Sequence, residues 1–236
     1  MFKGKKAKWI RKSHRYLGIF LGLQFLMWTI SGLYFSWTNI NDIHGDQFRK
    51  TGLVATSFSN LLSPSALSPS LAITSIDLRE INNEPYYWIN KKQLYHARTG
   101  SLKKGVSQAE AIAIANKNIV SGMTIKDVQL IKSVDKHHEY REKMLPAYVI
   151  SYQDPNNLKV YVSVNDGAFQ TVRHRDWRWF DFLWMTHTMD YEGRDNMNNT
   201  VLRIFSVLGL MTVLSGFLLW FNSSPTIRKI IRKKNK

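Results

Sequence analysis

Two long apolar runs, one near each end of the chain, dominate the hydropathy pattern. Residues 16–37 contain no charged side chain, and Gln24 is the only strongly polar residue among them. The run from Ile204 to Phe221 is likewise uncharged. Because an α-helix rises about 1.5 Å per residue, runs of this length cross the roughly 30 Å hydrocarbon core of a bilayer. The pattern therefore predicts two transmembrane helices, over residues 16–37 and 201–221.

The residues between these runs follow the pattern of a small folded domain. Residues 38–70 are polar, show no sustained period and are predicted to form a linker. The capping box Ser107-Gln108-Ala109-Glu110 opens an Ala- and Ile-rich helix that is predicted to reach about Val120. Short β-like runs predict strands over 73–78, 86–89, 93–96, 125–133, 147–152, 159–164 and 169–173. One helix with antiparallel strands predicts a small α+β domain over residues 71–176, with the helix packed on the sheet.

Residues 177–191 join this domain to the second apolar run and are rich in aromatic side chains. They include three tryptophans and two phenylalanines and contain no helix breaker. Because amphipathic rings prefer the membrane–water interface, the segment is predicted to be a helix lying there. The charged run 136–143 is predicted to be a solvated loop. Lipid phosphate or an anionic iron chelate is expected to bind the arginines near the interface, which are Arg173, Arg175, Arg178 and Arg194.

The distribution of charge gives the two helices an orientation. Residues 1–15 carry seven Lys and Arg, residues 222–236 carry six, and neither end carries an acid. These ends supply 13 of the 16 net positive charges. Because Lys and Arg collect on the cytoplasmic side of membrane segments, both ends are predicted cytoplasmic and the central domain lies across the membrane. A nucleic-acid binder carries its basic excess on a folded face, so membrane lipid is a predicted partner and nucleic acid is not.

Histidines are the candidate ligands for a redox cofactor. The chain has no cysteine, which excludes disulfides, thiolate metal sites, iron–sulfur clusters and covalently attached haem. His14 is the one histidine on the predicted cytoplasmic side, so a bis-histidine haem there needs a second His14 from a partner subunit. His44 follows the first helix by seven residues and His187 precedes Ile204 by 17, so these two are predicted to meet around one haem at the outer surface. Each histidine also has a plainer interpretation, as an interfacial or structural residue.

Small residues recur four positions apart in both apolar runs. The pairs are Gly18/Gly22, Gly32/Ser36 and Thr212/Gly216. His14 shares a helix face with Gly18 and Gly22. This spacing lets helices pack closely, either within the chain or in a homodimer. The alternative is a haem that lies against the glycine groove.

Four segments, in order, resemble the PepSY-associated transmembrane proteins. Residues 12–18, Lys-Ser-His-Arg-Tyr-Leu-Gly, resemble the LHRxLG opening of that family. Residues 71–102 resemble the end of a partial PepSY unit, and residues 107–176 are similar to a fuller PepSY domain. The run Leu183-Trp184-Met185-Thr186-His187 resembles the family's LH motif. The chain departs from the larger members of the family, which have about four spans where two are predicted here.

The resemblance implies a protein of the bacterial inner membrane with a periplasmic domain. Some members of the family act in iron uptake as haem-containing reductases of iron–siderophore complexes. The resemblance therefore implies a b-type haem held by His14, His187 and His44, electron transfer, possible ferric-chelate reduction, and a homodimer or membrane partner protein. PepSY domains elsewhere are linked to peptidase regulation, so a non-enzymatic, membrane-anchored binding module is the first alternative. An accessory subunit of an iron transporter is the second, and the sequence leaves open whether the protein is an enzyme.

Overall fold

The structure, a computed structural model, describes residues 4–67 and 72–226. Residues 227–236, which include most of the basic C-terminal tail, lie outside the described part, as do residues 1–3 and 68–71. The described helices are α1 (Lys5–Trp37), α2 (Ile40–His44), α3 (Gln108–Asn118), α4 (Arg175–Thr188) and α5 (Thr200–Ser223). The strands are β1 (Ile76–Ile81), β2 (Glu84–Ile89), β3 (Gln93–His96), β4 (Leu102–Lys103), β5 (Ile125–Ile131), β6 (Ala147–Tyr152), β7 (Lys159–Ser163) and β8 (Phe169–Arg173).

The chain divides into two compact units. A helical unit combines the chain up to Trp37 with the chain from Asp181, and a soluble unit comprises Thr38–Phe180. Helix α4 contributes its first residues to the soluble unit and its last residues to the helical unit.

In the helical unit, α1 and α5 are each long and apolar enough to cross a membrane. They pack antiparallel, because His14 of α1 lies beside Gly216 of α5 while Phe25 lies beside Gly209. The start of α1 and the end of α5 are therefore at the same end of the pair. Apolar side chains that point away from this contact are largely exposed, which suits a surface that faces lipid. Helix α1 begins at Lys5, so it extends eleven residues before the predicted span.

The soluble unit contains two four-stranded antiparallel sheets, in the orders β1-β2-β3-β4 and β5-β6-β7-β8. Alternation along the strands gives each sheet two apolar faces. In β2, for example, Trp88 points into the main core while Tyr87 and Ile89 belong to a second cluster on the other face. The main core joins side chains of both sheets to the buried face of α3, which is Ala111, Ile114 and Ala115. The predicted fold class, two membrane helices flanking a helix packed on antiparallel strands, is confirmed.

Helix α3 begins where its capping box predicts. The Ser107 hydroxyl accepts a hydrogen bond from the Glu110 backbone N–H, and the Glu110 carboxylate accepts one from the Ser107 N–H at 2.8 Å. This reciprocal pair satisfies two backbone donors that would otherwise have no partner in the first turn.

Two segments are more ordered than their polar composition predicts. The predicted linker contains α2 and two short 3₁₀ turns, and it buries Ile43 and Phe48. The predicted solvated loop 136–143 carries Tyr140, which is fully buried and stacks on Tyr161 with ring centroids 4.6 Å apart. In both segments single apolar residues anchor a polar stretch, and no periodic pattern in the sequence reveals such an anchor.

Candidate functional site

His14 lies between the two membrane helices, near the start of α1. Its Nδ1 is 2.8 Å from the Ser215 hydroxyl and 3.2 Å from the Thr212 backbone carbonyl of α5. A Cβ at position 216 would come within 3.2 Å of His14 Cε1, so the glycine there makes room for the ring. Because a carbonyl oxygen only accepts hydrogen bonds, these contacts favour a proton on Nδ1. The Nε2 lone pair is then the one left to bind a metal or accept a proton.

His187 makes the same kind of contact near the other end of α1. Its Nδ1 is 2.7 Å from the hydroxyl of Ser31, a fully buried residue, and that hydroxyl donates to the Met27 carbonyl at 2.6 Å. Since the single hydroxyl proton is used in this way, Nδ1–H donates to the serine oxygen and Nε2 again keeps its lone pair. Burial lowers the pKa of His187, which favours the neutral, ligating form of the imidazole. The ring of Phe35 lies beside the imidazole, with centroids 5.6 Å apart.

One face of α1 holds the end of α4 that carries His187. Gln24 Nε2 donates to the Thr186 carbonyl at 3.1 Å, and Trp28 Nε1 donates to the His187 carbonyl at 2.8 Å. These are among the last carbonyls of a helix, which have no partner within the helix itself. Gln24, Trp28 and Ser31 follow the spacing i, i+4, i+7 and therefore share a face. This contact explains why a glutamine interrupts an otherwise apolar run.

The chain after α4 is fixed by a buried carboxylate. Asp190 accepts hydrogen bonds from the backbone N–H groups of Glu192, Gly193 and Asn196, at 3.3, 3.2 and 2.8 Å. Burial raises the pKa of Asp190, but these donors outweigh burial and lower it overall. Asn199 then caps α5 through the Leu202 N–H and also donates to the Thr188 carbonyl. The connection that follows His187 is therefore ordered by side chains as well as by backbone.

The two histidine–serine pairs occupy different levels of the helix pair. His14 and Ser31 are seventeen positions apart on α1, which corresponds to about 25 Å along the axis. His14 and His187 of one chain therefore cannot bind the same iron. His44 lies exposed at the end of α2 in the soluble unit, and its predicted meeting with His187 stays a prediction.

The predicted small-residue pairs behave differently from one another. Thr212 and Gly216 lie at the contact of α5 with α1. By contrast, a Cβ added at Gly18, Gly22 or Gly32 meets no described atom within 4 Å. The Gly18–Gly22 face therefore lies open beside His14, uncovered by the part of the chain that the structure describes.

The predicted arginine group does not form one open cluster. Arg178 donates to both Glu139 oxygens, at 2.6 and 3.1 Å, and Arg194 forms an ion pair with the buried Asp181. Arg175 also forms an exposed ion pair with the neighbouring Asp176 at 3.4 Å, so three of the four guanidinium groups are in ion pairs within the chain. Across the described ranges, no three His, Asp or Glu side chains come together as a metal site.

The sequence analysis selected His14 and His187 as candidates but did not select their serine partners, Ser215 and Ser31. The sequence feature that could have indicated Ser31 is its spacing from Gln24, because residues seven positions apart share one face of α1. Serines are common in membrane helices, where each can form a hydrogen bond with its own backbone. The sequence alone therefore does not distinguish Ser31 and Ser215 from the other serines of these helices.

The profile of the PepSY-associated TM region matches residues 1–223 of this chain. The chain belongs to this family. The match spans both long helices and the soluble unit, and it confirms the resemblance carried by residues 12–18 and the segments after them. A search of curated proteins and a search of solved structures each returned no match. As a PepSY-associated transmembrane protein, the chain is a membrane protein with two candidate spans.

Proposed function

We propose that this PepSY-associated transmembrane protein binds b-type haem in its helical unit and transfers electrons. The observation that supports the proposal is the repeated histidine–serine pair. In each pair the serine fixes Nδ1 and orients the ring, and Nε2 is the nitrogen with a lone pair for iron. A hydrogen bond from the other ring nitrogen is the usual support for a histidine that ligates a metal.

The residues fit non-covalent haem at two separate sites. His187 would hold one haem beside the ring of Phe35, and His14 would hold one beside the open Gly18–Gly22 face. Because the two histidines are about 25 Å apart along α1, each site needs its second ligand from elsewhere. For the His187 site, His44 is the predicted second ligand, while at the His14 site a second copy of the chain or a membrane partner protein would provide it. A bound haem would supply one-electron chemistry at a potential set by its ligands and surroundings.

The proposal also includes an orientation in the membrane and an electron acceptor. The antiparallel helices support a topology in which both basic ends face the cytoplasm and the soluble unit faces the periplasm of a bacterial inner membrane. Reduction of ferric chelates in iron uptake is the role that other members of the family suggest.

A reduced-minus-oxidised absorption spectrum of the detergent-purified protein, from haem-replete cells, tests the proposal. We expect b-type bands with a defined haem-to-chain ratio that falls in His14→Ala and in His187→Ala. His137→Ala, at an exposed histidine of the soluble unit, is the matched control and should leave the spectrum unchanged. His44→Ala tests the third predicted ligand. A featureless spectrum of the wild type would overturn the haem proposal.

A groove in the soluble unit favours a second candidate function, a membrane-anchored binding module. The groove has a volume of about 800 Å³ and runs between β1 and α3, with Leu78 and Ile114 among its lining residues. Strand β1 is the edge of its sheet, and edge strands accept extended peptides as an added strand. If the protein is such a binding module, the His14→Ala and His187→Ala variants should bind a mixed library of extended peptides as tightly as the wild type does. Leu78→Asp should lower that affinity.

A further inference from the structure

A polar pocket of about 320 Å³ lies beside β8, an edge strand of the second sheet, within the soluble unit. Strand β8 supplies Arg173 to its lining. The segment that begins at the end of α2 supplies Asp46 and Arg49, the loop before β6 supplies Lys143, and α4 supplies Trp177. Distant parts of the unit therefore converge here, and the histidine–serine pairs have no part in this pocket.

Cations outnumber acids in the lining of this pocket. Arg49, Lys143 and Arg173 face a single carboxylate, Asp46, so the lining has a formal charge of +2 with His44 neutral. Asp46 is already engaged, because its carboxylate lies 3.7 Å from Arg49 Nε. Another guanidinium, that of Arg141, lies 5.9 Å from the Trp177 ring. Bringing like charges together costs electrostatic energy, and a bound anion lowers that cost.

The Arg173 guanidinium donates hydrogen bonds to three uncharged oxygen atoms. Its Nε donates to the Glu139 carbonyl at 2.9 Å, and its Nη1 donates to the Thr171 hydroxyl and to the Val172 carbonyl. Its central carbon lies 3.9 Å from the centroid of the Trp177 ring. A planar guanidinium that is fixed in this way is organised in advance for an oxyanion.

We propose that this pocket binds a phosphate-type oxyanion, either a phosphomonoester or a phosphodiester. The lining charge of +2 suits an anion of one to two negative charges, and guanidinium groups match the oxygen geometry of phosphate. The volume exceeds that of the bare ion and leaves space beside the Trp177 indole for the group that carries the phosphate. Two kinds of molecule carry such a phosphate group: the headgroup of an anionic phospholipid and a soluble phosphate compound.

Calorimetric titration of the full-length protein in neutral detergent, at constant ionic strength, tests the proposal. Inorganic phosphate is the first probe and short-chain phosphatidic acid is the second. We expect saturable binding of at least one probe, weakened about tenfold by Arg49→Gln and by Lys143→Gln. Lys92→Gln, which removes an exposed cation in the β2–β3 turn, is the matched control and should not change the affinity.

The two probes separate the two sources. Binding of phosphate alone, or of both probes, assigns the pocket to a soluble phosphate group, while binding of the short-chain lipid alone assigns it to a headgroup. The proposal is overturned if neither probe binds, or if Lys92→Gln weakens binding as much as the pocket variants do. Lys143 is exposed, so its substitution leaves the core intact, and unchanged thermal unfolding of Lys143→Gln verifies this.

Discussion

At the scale of single residues, two serine hydroxyls determine how the candidate histidines are presented. Ser31 and Ser215 each donate to a carbonyl of their own helix and still have lone pairs that accept from an imidazole of another segment. The sequence predicted the histidines, because their flanking residues form recognisable motifs. It did not predict the serines, because their role depends on the rotation and depth of two packed helices.

The serine contacts predict the tautomer of both histidines. In protein with ¹⁵N-labelled histidine, we expect nitrogen NMR shifts that report Nδ1–H for His14 and His187. Ser31→Ala removes the acceptor of His187, so both tautomers of His187 should then be populated while His14 is unaffected. Ser36→Ala, an exposed serine that bonds to its own helix at Leu33, is the control. An unchanged His187 signal in Ser31→Ala would contradict the geometry.

At the scale of elements, the sequence located the helices and strands more accurately than it located their partners. The bounds of β6 and β8 agree with the prediction, and α3 begins at its capping box, because alternation and caps are local signals. The docking of α4 on Gln24 and Trp28 is a long-range contact that no local pattern encodes. The same holds for the loop that Tyr140 anchors on the second sheet.

Glu139 joins that loop to the start of α4 and to β7. Its side chain is 13% exposed and contacts Arg178, the Tyr161 hydroxyl at 2.6 Å and Lys159 at 3.4 Å. Burial raises its pKa, but the hydrogen bond from Arg178 and its other partners outweigh burial and lower the pKa overall. Its contribution to the free energy of unfolding is therefore complete above the pKa of an unfolded glutamate, about 4.3, and is lost as the pH falls further.

Replacing Glu139 should destabilise the protein in a way that depends on pH. Glu139→Gln replaces the charged acceptor of Arg178 with a neutral one, so we expect a loss of about 2 kcal/mol at pH 7, the scale of a hydrogen bond to a charged group. Chemical unfolding in detergent measures this loss, and the gap between wild type and variant should narrow as the pH falls below 4. Glu142→Gln, at an exposed glutamate, should change stability by less than about 0.5 kcal/mol at either pH.

A matched pair of glycine substitutions tests the packing of α1 on α5. In Gly216→Ala the new methyl group meets the His14 ring at 3.2 Å, so we expect the His14–Ser215 contact to shift and the thermal midpoint to fall. In Gly22→Ala the methyl group meets nothing described, and alanine also favours the helix, so the midpoint should stay or rise. A fall in Gly22→Ala instead indicates that a second chain or a cofactor covers that face.

At the scale of the whole molecule, the absence of cysteine makes the topology directly measurable. A single cysteine is introduced by Lys8→Cys in α1 or by Lys126→Cys in β5, both at exposed positions. In intact spheroplasts, a membrane-impermeant maleimide should label Lys126→Cys and should label Lys8→Cys only after permeabilisation. The opposite pattern would reverse the predicted orientation, while equal labelling of both would show that the helices do not separate the two positions.

Helix α1 carries one member of each histidine–serine pair, His14 towards α5 and Ser31 towards the end of α4. A turn of this helix about its own axis therefore changes both hydroxyl–imidazole distances at the same time. Because both pairs share this one rigid element, we expect a rotation that lengthens one of these distances to alter the other as well.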